Sequence, residues 1–209
     1  MYEIIITELE LMIYYFLKMI KNGGFKMIYN RQMCGDEAAL HVAKQMVAAM
    51  VTAPKAHGWD DIDALILTGE EKAELAVVMR ELAKECGEEF IERDSYNIEN
   101  CNCVILVGAR TKPMTVKGCG YCGFGDCAGA MKAGANCAFN TVDLGIAIGS
   151  AVSLAADNRI DSRVFYSAGK AVLRMGLFPK DVKVALAIPL SVTTKSMFFD
   201  RSPESVMIK

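Results

Sequence analysis

Four cysteines in a glycine-rich stretch carry the strongest chemical signal in this sequence. They are Cys119, Cys122, Cys127 and Cys137, in the spacing Cys-x2-Cys-x4-Cys-x9-Cys. Thiolates this close in sequence can surround one metal centre, and the intervening glycines let the backbone fold around it and direct N–H groups at sulfur. Such hydrogen bonds, together with local charge, set the reduction potential of an iron–sulfur centre. Residues 117–137, the cysteine loop, are therefore predicted to bind metal.

Three interpretations of these thiols are open. A [4Fe–4S] cluster suits the spacing and the crowd of glycines best. Structural zinc is the alternative, although it more often uses two Cys-x2-Cys pairs. The third interpretation is that the cysteines are free thiols. It is the weakest, because four free cysteines at this close spacing are unusual. The remaining cysteines, at positions 34, 86, 101 and 103, are expected to be structural, a role that a buried free thiol fills well.

The glycines of the same loop also satisfy a dinucleotide-binding pattern. Gly118-x-Gly120-x-x-Gly123 matches it, and Asp143 follows at about the right distance. That pattern needs a strand running straight into a helix, with the acid at a strand end. Here two spacer positions are cysteine and Asp143 lies in a helical pattern, so we reject a dinucleotide site and attribute the glycines to metal binding.

Basic residues outnumber acids around the cysteine loop. Arg110, Lys112, Lys117 and Lys132 flank it, against the single acid Asp126. A cluster held by thiolates is anionic, so these cations should stabilise it. The N-terminus of the helix predicted after Cys137 should contribute a favourable dipole.

Composition limits the class of protein. The chain has 209 residues, 53% of them apolar, and a net charge of -2, which is ample for a core and offers no electrostatic footprint for nucleic acid or an anionic membrane. The first ten residues carry three glutamates and no basic residue, unlike a signal peptide. The apolar run 11–19 is interrupted by Lys18 and is too short to span a bilayer. We expect a cytoplasmic protein, in which close cysteines act as ligands or redox groups.

Helical and strand patterns alternate along the chain and predict an α+β layered domain. Helices are predicted from Asp36 to Val51, from Thr68 to Cys86 and from about Asn140 to Asp157, strands at 62–67, 103–107 and 182–188, and mixed structure at 164–174. We expect a single domain over residues 27–209. Residues 1–26 are expected to be a non-native or accessory extension, because Gly23-Gly24 can be encoded by a ribosome-binding sequence just before Met27.

The cysteine loop and its surroundings resemble a known family. Gly118-Cys119-Gly120-Tyr121-Cys122-Gly123, the sequence Asn-Cys-Ala-Phe at 136–139 and the helix Thr-Val-Asp-Leu-Gly-Ile-Ala-Ile-Gly-Ser-Ala-Val at 141–152 are similar to bacterial and archaeal proteins described as containing a ferredoxin domain. The similarity covers about residues 30–201. It implies a four-cysteine iron–sulfur module, although the last gap, before Cys137, is shorter than in the related module of the corrinoid iron–sulfur protein.

A second resemblance is to the nitroreductase fold. Residues 53–59, Ala-Pro-Lys-Ala-His-Gly-Trp, are similar to an Ala-Pro-Ser segment that ends in Trp in that family, and the sequence Met-Gly-Leu-Phe-Pro at 175–179 precedes a last strand in the expected order. This resemblance implies a nitroreductase-like sheet-and-helix domain, a homodimer and FMN bound between subunits. The basic segment that holds the flavin phosphate near the N-terminus is absent, and Arg201 is the candidate for a C-terminal phosphate contact.

Two functions follow from these observations. The first is an iron–sulfur redox protein, an oxidoreductase or electron carrier that passes single electrons to a partner protein or a small-molecule acceptor. The second is a non-catalytic protein that binds iron–sulfur or zinc and senses redox state. The missing phosphate-binding segment favours the second, and the nitroreductase-like order of segments favours the first.

Overall fold

The computed structural model describes residues 13–14 and 28–199. Arg201 and all but two residues of the predicted extension 1–26 lie outside the described residues. The chain separates into two compact units, Met1–Cys34 and Gly35–Lys209. The sheet and its helices belong to the second unit, except for the first residues of the first helix.

A four-stranded antiparallel sheet forms the centre of the second unit. Its strands are β1 (Ile62–Leu67), β2 (Cys103–Arg110), β3 (Asp161–Ser162) and β4 (Val182–Ser191), in the order β1-β2-β4-β3. The three predicted strands are confirmed, β2 and β4 being each three residues longer than expected. The two-residue β3 was not predicted, because a strand that short has no periodicity to read.

Six α-helices surround the sheet in the described part of the chain. They are α1 (Arg31–Thr52), α2 (Gly69–Cys86), α3 (Glu89–Asn100), α4 (Cys127–Lys132), α5 (Ala138–Asp157) and α6 (Tyr166–Met175). Gly87 ends α2 in the left-handed conformation, as predicted. The segment expected to be mixed is mostly α6, and α3 was not predicted.

The prediction that α1 begins at Asp36 is wrong. The helix begins at Arg31, and the side-chain oxygen of Asn30 accepts a hydrogen bond from the backbone N–H of Met33 at 2.9 Å. This is the geometry of an N-cap. Asp36 lies one turn further on, and its carboxylate accepts a hydrogen bond from Nδ2 of Asn102 at 2.6 Å.

Hydrophobic cores lie on both faces of the sheet. Strand β2 shows this directly, because Val104 and Leu106 belong to one core, whereas Cys103, Ile105 and Val107 belong to the other. Helices α2, α3 and α6 contribute to the first core, and α1 and α5 to the second. The expected α+β layered architecture is confirmed.

Helix α5 is the most apolar helix of the described chain. With a mean hydropathy of 1.4 it is long and apolar enough to cross a membrane by length and composition alone, and 39% of the apolar window is buried. Leu144, Ala147 and Ala151 of α5 are buried in the second core. Core helices of soluble proteins pass the same test. One face of α5 therefore packs on the sheet, while Val142 and Ile146 of α5 are exposed.

Candidate metal site

The cysteine loop connects the end of β2 to the start of α5 by way of α4. Cys127 is the first residue of α4, and the preceding Asp126 accepts a hydrogen bond from the backbone N–H of Gly129 at 2.7 Å, which fixes this turn. Cys137 is the N-cap residue of α5, and its side chain makes no capping hydrogen bond. Two of the four predicted ligands therefore sit at helix starts, where backbone N–H groups lack intrahelical partners.

All four predicted ligands line one cavity. The empty space at this site, including the part open to solvent, is about 350 Å³. Its other lining residues are largely apolar or small: Met114, Val116, Gly120, Phe124, Asp126, Ala138 and Phe139. Each of the four thiols is half-buried and free of disulfide bonds. The fold thus brings together the four cysteines that the spacing singled out, and their role as ligands stays a prediction.

A single zinc ion and a [4Fe–4S] cluster place different demands on the four thiols. Within residues 13–14 and 28–199, no three His, Cys, Asp or Glu side chains come close enough together to hold one metal ion. A zinc ion takes sulfur at about 2.3 Å, so its tetrahedral thiolates lie about 3.8 Å apart. A [4Fe–4S] cluster binds each cysteine to a different iron and so takes its sulfurs from a wider ring. The choice of a cluster over a single zinc ion stays a prediction.

Glycines wind the backbone around the first two thiols. Gly118, Gly120 and Gly123 have φ of 72°, 61° and 84°, a left-handed conformation that side chains disfavour. The backbone N–H of Gly123 donates to the carbonyl of Gly120 at 2.9 Å and closes a turn around Cys122. This turn accounts for the glycines at positions 120 and 123.

An aromatic pair lies beside the cavity. Tyr121, between the first two cysteines, stacks on Phe139 with ring centroids 5.7 Å apart. Phe139 lines the cavity, whereas Tyr121 is 78% exposed. The pair ties the first turn of α5 to the Cys119–Cys122 turn.

The four predicted cations divide into two pairs. Arg110 forms ion pairs with Asp63 at 2.7 Å and Asp181 at 3.1 Å, and the hydrogen bond to Asp63 is the main cause of its raised pKa. Lys112 pairs with Asp61 at 3.4 Å and lies 4.9 Å from the centre of the Trp59 ring. The positive charge of this pair is therefore already balanced by carboxylates.

Lys117 and Lys132 form the second pair and are exposed. Lys117 lies two residues before Cys119, and Lys132 ends α4, the helix that Cys127 begins. Asp126 is the only acid of the cysteine loop, and its carboxylate accepts a hydrogen bond from the N–H of Gly129. The charge expected to offset an anionic cluster is thus reduced to two lysines.

Two buried polar residues hold the first turns of α5 in place. Oδ1 of Asn140 accepts a hydrogen bond from the backbone N–H of Lys112 at 3.1 Å. The carboxylate of Asp143 accepts one from the backbone N–H of Ala56, also at 3.1 Å. Asn140 was not predicted to be a site residue. The available signal was a polar residue in the first turn of an otherwise apolar helix. Asp143 therefore connects α5 to the segment before β1.

The remaining cysteines lie away from the cavity. Cys101 and Cys103 are buried, and burial raises the pKa of these thiols to about 11 and about 12. Cys103 is a core residue, as predicted. Cys34 and Cys86 are exposed, so they add nothing to the core.

Two solved structures with a similar fold are described as nitroreductases. A nitroreductase family protein from Clostridium novyi NT aligns with a TM-score of 0.52 and 14% identity, covering 83% of this chain and 81% of that chain. A putative nitroreductase in complex with FMN, from Desulfovibrio desulfuricans, aligns with a TM-score of 0.52 and 11% identity, covering 88% of each chain. The chain has a nitroreductase-like fold.

The sequence comparisons identify the family. Residues 133–201 match the family described as uncharacterized protein containing a ferredoxin domain (DUF2148). A protein of Archaeoglobus fulgidus, described as an uncharacterized protein, is 36% identical over 186 residues, covering 85% of this chain and 100% of that protein. The chain belongs to this ferredoxin-domain family, and the family description indicates a redox role.

Proposed function

We propose that this chain is an iron–sulfur redox protein in which Cys119, Cys122, Cys127 and Cys137 hold a [4Fe–4S] cluster. The observation that carries the proposal is that these four thiols line one cavity. A bound cluster accepts and releases single electrons. The thiolates hold it, the apolar lining limits its contact with water, and Lys117 and Lys132 offset its negative charge.

The proposed activity is electron transfer or a reductase reaction, with a redox protein or a small molecule as acceptor. The nitroreductase-like fold supports this class, and one protein of that fold is in complex with FMN. FMN is therefore a second candidate cofactor, with Arg201 as its proposed phosphate contact. The proposal includes a cytoplasmic homodimer, without nucleic-acid or membrane partners.

Anaerobic purification followed by chemical analysis tests this proposal. We expect about four iron and four sulfide per chain, as the cluster composition requires, and an electron paramagnetic resonance signal after reduction with dithionite. Flavin is measured in the same sample after denaturation. Stoichiometric zinc without sulfide would contradict the cluster. Wild-type protein without iron, zinc or sulfide would contradict any metal function.

The second candidate is a non-catalytic iron–sulfur protein that senses redox state. The N-terminal sequence favours this candidate. Only Asn30-Arg31-Gln32 stands in place of the basic phosphate-binding segment of nitroreductases. The two candidates differ in their expected behaviour. An electron carrier reduces an acceptor repeatedly under anaerobic conditions, whereas a sensor holds its cluster and shows no turnover.

A further inference from the structure

Asn140 holds a buried hydrogen-bond donor that the described chain does not use. The residue is only 3% exposed, and its Nδ2 has no hydrogen-bond partner among the described residues. Its Oδ1 is fixed by the backbone N–H of Lys112, so the amide orientation is determined and Nδ2 is the free end. A buried donor without a partner is destabilising and calls for an explanation.

Asn140 lies in the first turn of α5, close in sequence to the metal cavity. Asn140 follows the N-cap residue Cys137 by three positions, so the two lie on the same face of the helix. Helical side chains lean toward the helix N-terminus, which places the Asn140 amide over the turn that Cys137 begins. The cavity wall includes Cys137, Ala138 and Phe139 but not Asn140, which is buried next to it.

We propose that Nδ2 of Asn140 donates a hydrogen bond to the sulfur of Cys137, or to the adjacent cluster sulfide, when the cluster is bound. This inference rests on the proposed function. Asn140 is thereby a positioning residue: it anchors the loop through Lys112 with its oxygen and stabilises charge on sulfur with its nitrogen. A donor to sulfur favours the more negative, reduced cluster and raises its reduction potential.

Two variants separate the roles of the two ends of the amide. Asn140→Leu removes both the acceptor and the donor. Asn140→Asp keeps an oxygen for the N–H of Lys112 but removes the donor and adds a negative charge. We expect both variants to have a more negative reduction potential than wild type. For Asn140→Leu the expected shift is about tenfold in the ratio of oxidised to reduced cluster, which for one electron is 59 mV.

Asn136 offers matched controls next to the same cysteine. It is exposed, and its Oδ1 accepts a hydrogen bond from the hydroxyl of Thr111 at 3.0 Å. Asn136→Leu controls for loss of an amide near Cys137, and Asn136→Asp controls for the added charge. Both are expected to shift the potential less than the corresponding variant at Asn140.

The test is an anaerobic potentiometric titration with iron content and resonance Raman spectra measured on the same samples. We expect the Fe–S stretching bands to shift in the Asn140 variants and not in Asn136→Leu. If Asn140→Leu retains iron with the potential of Asn136→Leu, Asn140 only anchors the loop and the inference is wrong. If Asn140→Leu loses iron, Asn140→Asp decides: a potential no lower than that of Asn136→Asp overturns the inference. Wild-type protein without a cluster would instead contradict the proposed function.

Discussion

Gly169 is the position where α6 approaches the sheet most closely, and replacing it by alanine should destabilise the fold. A Cβ atom there would lie 2.0 Å from the carbonyl oxygen of Ala185 and 2.6 Å from the Cα of Leu186. Both atoms belong to the backbone of β4, so no side chain can rotate away. Because Cβ contacts essentially never fall below 3.0 Å, the helix must move by about 1 Å.

The size of the effect follows from two opposing contributions. Overpacking of this kind costs about 3 kcal/mol when the obstacle is rigid, since Ala168 and Val172 of α6 are fully buried and lose contacts as the helix moves. Alanine is the better helix former by about 1 kcal/mol. The net loss in the free energy of unfolding is therefore about 2 kcal/mol, which lowers the midpoint of thermal unfolding by about 4–8 °C in a chain of this length.

Thermal and urea unfolding, followed by circular dichroism, measure this loss. Gly145→Ala in α5 is the matched control, because a Cβ there meets no described atom within 4 Å. That variant should gain about 1 kcal/mol from helix propensity and unfold about 2–4 °C higher than wild type. A Gly169→Ala protein as stable as wild type would refute the close packing of α6 on β4.

Three further predictions concern the thiols and the charges around them. Cys122→Ser should lose most bound iron and Cys86→Ser should keep it, since Cys86 is exposed at the end of α2; equal iron in both would contradict the ligand assignment. Replacing Lys117 and Lys132 by Gln should lower the reduction potential by roughly tens of millivolts with iron content retained. The reason is that reduction adds negative charge, which exposed cations offset only partly. An unchanged or raised potential would exclude a role of these lysines in offsetting the charge of the cluster. Burial raises the pKa of Cys101 from 9.0 to about 11, so the folded state binds this proton more tightly, and the free energy of unfolding should fall as pH rises from 9 to 11; urea titrations should show a smaller fall in Cys101→Ala.

Local sequence patterns predicted the elements that are marked by a continuous apolar run or by residues typical of helix ends. Strands β1, β2 and β4 are nearly continuous apolar runs, and α2 begins after Thr68 and stops at Gly87. Helix α3 escaped prediction because its buried face is partly polar. Asp94 and Ser95 are buried beside Ile91 and Ile98, and the Asp94 carboxylate accepts a hydrogen bond from the hydroxyl of Ser167 in α6 at 2.7 Å. Packing against both α2 and α6 makes that face an interior one.

The sequence by itself determined the composition of the candidate site. The spacing of Cys119, Cys122 and Cys127 and the glycines between them confine three thiols to one short loop, whatever the rest of the chain does. The thiol of Cys137 joins them because α4 and the start of α5 turn the chain back to the same cavity.

Tertiary structure decided what surrounds those thiols. Two of the four flanking cations are balanced by carboxylates, because antiparallel pairing places Arg110 beside Asp63 and Asp181 and brings Lys112 to Asp61. The burial of Asn140 against the backbone of Lys112, 28 residues away in sequence, is likewise a product of the fold. Charge and hydrogen bonding act over a few ångströms in space, so contacts between residues distant in sequence escape any reading of local spacing.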